Sequence, residues 1–240
     1  MIASLPMYWR PENAHLWRGF WRHVQDALPD LPDLTPPEDI PSRWTDHWLR
    51  YDLILSATCS LPFRTVLKDR VTYVGTLGHF VTEPGGYYFS RLIRHPDARE
   101  ITTLAYNEPI SQSGWAVTRG HPALTNVKNH IETGAHSASL AAVAEGRADA
   151  AMIDAITWRI LERCDPNAQR VIVDGASPVS PGLPLITAKG NDPAPLRAAL
   201  AQATQTFKTE DPDLMGGPLS FHLLDEATYH ALPIPAAPPA

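Results

Sequence analysis

Short apolar runs alternate with longer amphipathic runs over most of this chain, and that alternation constrains its fold more than any other feature. Strand and helix in strict alternation pack as sheets covered by helices, so the order argues an α/β fold with mainly parallel sheets. Residues 2–7 read as a first strand. Residues 13–28 carry Leu16, Phe20, Val24 and Leu28 at helical spacing, and Pro29 ends that helix. Further strands are expected at 52–56, at 71–75 and, after the turn Pro84-Gly85-Gly86, at 87–93.

The middle of the chain repeats the pattern. A strand at 103–106 leads to a helix start at 111–117, and a helix at 136–145 stops at Gly146. A strand at 150–153 ends on Asp154, a residue suited to capping the next helix, which runs to about residue 163. Strands follow at 171–173 and 183–187. Asp192-Pro193 opens a last long helix marked by Leu196, Leu200, Ala203 and Phe207. Residues 233–240 are mostly Pro and Ala and are expected to fray. The strands at 87–93 and 183–187 flank a self-contained α/β segment. The expectation is therefore two lobes, one of residues 1–86 plus 187–240 and the other of residues 87–186.

Composition narrows the function. The chain has 240 residues, 44% hydrophobic and 19% charged, enough for a packed core in each of two lobes. Its net charge is -6 and it has no Lys/Arg run, which argues against nucleic acid or an anionic membrane as a partner. No apolar stretch approaches the ~18 residues of a membrane span. The first residues, Met1 to Pro6, show no basic or apolar leader region. The expected location is periplasmic if a signal peptide was removed, and cytoplasmic otherwise. Cys59 and Cys164 are far apart and read as free thiols. No G-x-G-x-x-G, Walker A, G-x-S-x-G or H-E-x-x-H pattern is present, and the ten histidines show no metal-ligand spacing. No catalytic residue, metal or cofactor is expected.

Two segments do suggest chemistry. In Tyr106 to Trp115 a strand ends, and two hydroxyls and a glycine open what reads as a helix. Ser111 and Ser113 offer donors, and Gly114 lets an anion approach the backbone. An ordinary helix cap is the plainer reading of the same residues. In Thr133 to Asp154, His136 stands at a second helix start and Asp154 at a strand's C-terminal end, where open α/β sheets place ligands. Tyr8, Tyr88 and Trp115 fall near strand ends and suit a ligand cleft, although each suits a core equally well.

These pieces, in this order, resemble a known family. Leu5-Pro6-Met7-Tyr8, Ser56 to Phe63, Tyr88-Phe89-Ser90, Ser111-Gln112-Ser113-Gly114, and His136 running into Gly146-Arg147-Ala148-Asp149-Ala150 are similar to the phosphate, phosphite and phosphonate substrate-binding proteins of ABC transporters. The resemblance implies a type 2 periplasmic-binding-protein-like fold, with a ligand cleft between two lobes joined by two crossing strands. It implies capture of a small oxyanion and delivery to an ABC permease by a monomer. Ser111, Ser113, Gly114 and His136 would take the anionic head group; Tyr8, Tyr88, Trp115 and Asp154 would line the rest of the site. The alternatives on this fold are a cytoplasmic ligand sensor and an enzyme resembling the pyrimidine synthases of thiamine biosynthesis. The enzyme would want a cofactor lysine, and none of Lys68, Lys128, Lys189 and Lys208 lies in a recognisable motif.

Overall fold

A computed structural model describes residues 1–239 of the chain. They form two compact units, each discontinuous in sequence. The first is built from Met1–Tyr87 and Pro181–Leu232, and the second from Tyr88–Ser180 with residues 233–239.

The first unit holds a five-stranded sheet. Its spatial order is Ile2–Ser4, Leu53–Ala57, Pro184–Ala188, Val71–Gly78 and Ser220–His222. The first two strands are parallel, Pro184–Ala188 is antiparallel to both neighbours, and Ser220–His222 is antiparallel to Val71–Gly78. Every residue of Pro184–Ala188 is buried, as a central strand covered on both faces requires. The helix Ala14–Ala27 buries Trp17, Phe20, Trp21 and Val24, one stripe at helical spacing, against the helix Ala194–Thr206. Phe20 meets Phe207 edge to face, ring centroids 5.7 Å apart.

The second unit holds another five-stranded sheet, ordered Asn129–Glu132, Thr103–Tyr106, Ala150–Asp154, Ser90–Arg94 and Ile172–Ala176. The first three strands are parallel and Ser90–Arg94 runs antiparallel to both its neighbours. Alternation along the strands divides their side chains between two cores. Ile93, Ala105, Ala151 and Ile153 pack with Leu140, Val143, Trp158 and Leu161 of the helices His136–Ala144 and Ala155–Cys164. Leu92, Leu104 and Met152 pack with Leu124 on the opposite face. The three parallel strands all end at one edge of the sheet, at Tyr106, Glu132 and Asp154.

Four sequence expectations change here. Both sheets are mixed rather than mainly parallel, because strands from distant parts of the chain insert antiparallel between parallel ones. The run expected at 183–187 is not a crossing strand but a central strand of the first sheet. The chain crosses instead beside the short paired strands Tyr87–Tyr88 and Ser180–Pro181. Residues 233–239 pack with the second unit, not the first. The segment 111–117 opens no α-helix; its regular part is the 3-10 turn Ala116–Thr118. The Ser111 hydroxyl accepts from the Gly114 N–H at 2.9 Å, a local bond that competes with helical pairing. The N–H groups of Ala116 and Val117 then reach back five residues, to the carbonyls of Ser111 and Gln112.

Candidate functional site

Two loops leave the parallel edge of the second sheet side by side. One follows Thr103–Tyr106 and carries Asn107 to Trp115; the other follows Asn129–Glu132 and carries Thr133 to Ala135. Backbone bonds stitch them together: Thr133 N–H donates to the Tyr106 carbonyl at 2.9 Å, and Gly134 N–H to the Asn107 carbonyl at 2.8 Å. Across this seam the Ser113 hydroxyl meets His136 Nε2 at 2.9 Å. The Thr133 and Ser139 hydroxyls pair at 2.7 Å and fix the start of the helix His136–Ala144.

That helix start leaves its first backbone N–H groups without an acceptor in the helix. Its cap residue is Ala135, which offers no side-chain acceptor among the described residues. The first helical bond is that of Ser139 N–H to the Ala135 carbonyl, so the N–H groups of His136, Ser137 and Ala138 precede any intrahelical acceptor. These three residues are half-buried, whereas Ser111, Gln112 and Ser113 behind them are buried. Burial holds the His136 imidazole down at about 4, so it is neutral at neutral pH. Burial, and then the neighbouring Glu132 carboxylate, raises the pKa of Glu108.

Of the eight residues expected at the site, Ser111, Ser113, Gly114 and His136 come together here. Gly114 is needed for a different reason from the one the sequence suggested. Its N–H is taken by Ser111, and a Cβ at this position would lie 1.9 Å from Asn107 Oδ1 and 2.9 Å from Asn107 Cγ. The missing side chain makes room for a neighbouring amide. Asn107 is therefore the residue of this loop that sequence reasoning passed over, although its position directly after a strand end was a signal. Its buried Oδ1 has no hydrogen-bond partner among the described residues.

The other expected residues are placed as follows. Trp115 is fully buried and faces inward, against Tyr106 and His130, with the Arg119 guanidinium over its ring. It supports the loop from behind, which corrects its assignment to the lining. Asp154, at a parallel strand's end, caps the helix Ala155–Cys164: its Oδ1 accepts from Ile156 N–H at 2.7 Å and Thr157 N–H at 3.1 Å. Tyr88 is buried on the short strand at which the second unit begins. Tyr8 belongs to the first unit, packed edge to face on His79 with centroids 5.0 Å apart. Among the described residues no group of His, Cys, Asp and Glu is arranged to hold a metal ion, and no helix is long and apolar enough to cross a membrane.

The second unit thus gathers hydroxyls, a neutral imidazole and an open helix start at one sheet edge. The family model for the periplasmic substrate-binding protein of phosphonate ABC transporters matches residues 90–228, more than half of the chain. The chain belongs to this phosphonate-binding family of solute-binding proteins. No curated protein sequence matches it. Among solved structures it is similar to a binding protein component of an ABC phosphonate transporter from Pseudomonas aeruginosa, at 15% identity and TM-score 0.66, over 92% of this chain and 80% of that one. It is similar to PhnD1 of Prochlorococcus marinus in complex with methylphosphonate, at 11% identity and TM-score 0.70, over 95% and 94% of the two chains. A Xanthomonas citri protein bound to ATP matches at 12% identity and TM-score 0.66, over 97% and 94%. The fold is that of the two-lobed periplasmic binding proteins, and a transport family favours the transport reading over the sensor and pyrimidine-synthase readings.

Proposed function

We propose that this protein captures a small phosphonate or phosphate-like oxyanion for an ABC importer, and that it performs no catalysis. The observation that carries the proposal is the Ser113–His136 pair, 2.9 Å apart at the uncapped start of the helix His136–Ala144. Backbone N–H groups at a helix start attract an anion through both their hydrogen bonds and the helix dipole. In this reading the oxyanion seats on the N–H groups of His136, Ser137 and Ala138. The Ser113–His136 bond can run either way; when the anion seats, the tautomer with its proton on Nε2 donates to Ser113 Oγ and frees the Ser113 O–H for the anion. Ser111 orders the loop through Gly114 and has its own O–H left to donate. Recognition then uses neutral donors rather than an arginine clamp, which suits an anion that must be released again to a permease.

The test is titration calorimetry with methylphosphonate, phosphate and sulfate on wild type, Ser111→Ala and Ser113→Ala. A hydrogen bond to a charged group is worth about 1.5–3 kcal/mol, so each variant is expected to bind roughly 10- to 100-fold more weakly. Wild-type affinity in both variants would overturn the proposal.

A further inference from the structure

We propose that the C-terminal segment, residues 233–239, is a strap that positions the Ser111–Gly114 loop, and that it acts through Trp115. Four of its seven residues are Pro233, Pro235, Pro238 and Pro239. Proline fixes φ and removes an N–H donor, so such a run favours the polyproline II form, with three residues per turn. The segment forms no helix or strand, and its burial has that three-residue period: Pro235 and Pro238 are half-buried, while Ile234, Ala236, Ala237 and Pro239 are exposed. One face thus rests on the second unit, with which the segment packs.

The contact that gives this docking a consequence is a single hydrogen bond. Trp115 Nε1–H donates to the Ala236 carbonyl at 2.9 Å. Trp115 directly follows Gly114 and has no exposed surface. Its ring is held by Tyr106 at 5.1 Å and His130 at 5.5 Å between centroids. The bonds from Ala116 and Val117 back to Ser111 and Gln112 close the loop across Trp115, so its indole is the fixed point from which Ser113 reaches His136. A buried indole N–H requires an acceptor. The strap supplies it from the Ala236 carbonyl, which the proline-bearing face holds in place. Without the strap the indole must turn toward water or stay unsatisfied, and the loop loses its register with the helix start.

The effect on affinity rests on the oxyanion reading; the effect on loop order does not. The test compares the full chain with a chain ending at Leu232, and with one whose residues 233–239 are replaced by Gly and Ser at equal length. Hydrogen exchange is followed at the amides of Gly114, Ala116 and Val117, with those of the helix Ala194–Thr206 as a control for global destabilisation. Methylphosphonate affinity is measured by calorimetry. Both altered chains are expected to exchange at the loop at least ~10-fold faster with the control helix unchanged, and to bind ~10-fold more weakly, the size of one lost buried hydrogen bond. Trp115→Phe in the full chain is expected to reproduce both effects, and truncation added to it to weaken binding no further. Wild-type loop exchange in the two tail variants overturns the proposal, as does full additivity of truncation with Trp115→Phe. A wild type that binds no oxyanion, while truncation still speeds loop exchange, refutes the binding reading and leaves the strap standing.

Discussion

Gly114→Ala separates two reasons for a glycine in the Ser111–Gly114 loop. If Gly114 only gave an anion access to the backbone, alanine would weaken binding and leave stability alone. The structure assigns it a packing role. A Cβ would stand 1.9 Å from Asn107 Oδ1, 2.9 Å from Asn107 Cγ and 3.3 Å from His136 Cε1. No side chain tolerates the first two distances, so the whole Asn107 amide must move. Its backbone is tied down by the Gly134 N–H, and the route past it is narrowed by His136. Overpacking of this kind costs about 1–3 kcal/mol. For a chain of this length that is a fall in Tm of roughly 2–12 °C. The decisive arm is Asn107→Ala, which removes the two clashing atoms and leaves His136 Cε1 as the nearest contact. The double variant should therefore be more stable than the sum of the single effects predicts, by about 1 kcal/mol or more. Thermal and urea denaturation of the four proteins give the cycle. A stable Gly114→Ala variant, or a double variant whose losses simply add, would refute the packing argument.

Three further outcomes follow from the same site. Because burial lowers the His136 pKa from 6.5 to about 4, the unfolded chain takes up a proton there before the folded chain does. This group's contribution is complete above pH 6.5 and is lost as pH falls toward 4, by up to about 1.4 kcal/mol per pH unit. His136→Gln should lack that part of the slope when compared with wild type; parallel stability curves would count against it. Asp154→Ala should cost about 1 kcal/mol through the lost helix cap, and Asp154→Ser should restore most of it. If the Asp154 carboxylate also meets a ligand amine, both variants should lose affinity for an aminoalkylphosphonate and keep it for methylphosphonate; calorimetry showing equal losses for the two ligands would exclude that role.

Much of this architecture was legible because its causes are local. The buried stripe of Ala14–Ala27, the Asp154 cap and the strand Thr103–Tyr106 follow from residue spacing and side-chain chemistry a few positions apart. The order of the motifs carried the family, and the hydroxyls and histidine at strand ends pointed to the loops that meet at the second sheet's edge. What the sequence could not express was pairing between distant residues. An apolar run such as Pro184–Ala188 reads the same whether it crosses between lobes or fills the centre of a sheet; the strands Leu53–Ala57 and Val71–Gly78 on either side of it decide. Residues 111–117 read as a helix start until the Ser111 hydroxyl takes the Gly114 N–H. The proline-rich tail reads as frayed until the buried Trp115 finds its acceptor there, 121 residues away. Local chemistry determined the elements and the kind of site. Tertiary packing alone decided which of those side chains meet at the sheet edge and which hold the loop in place, because that choice depends on partners brought together only when the chain is folded.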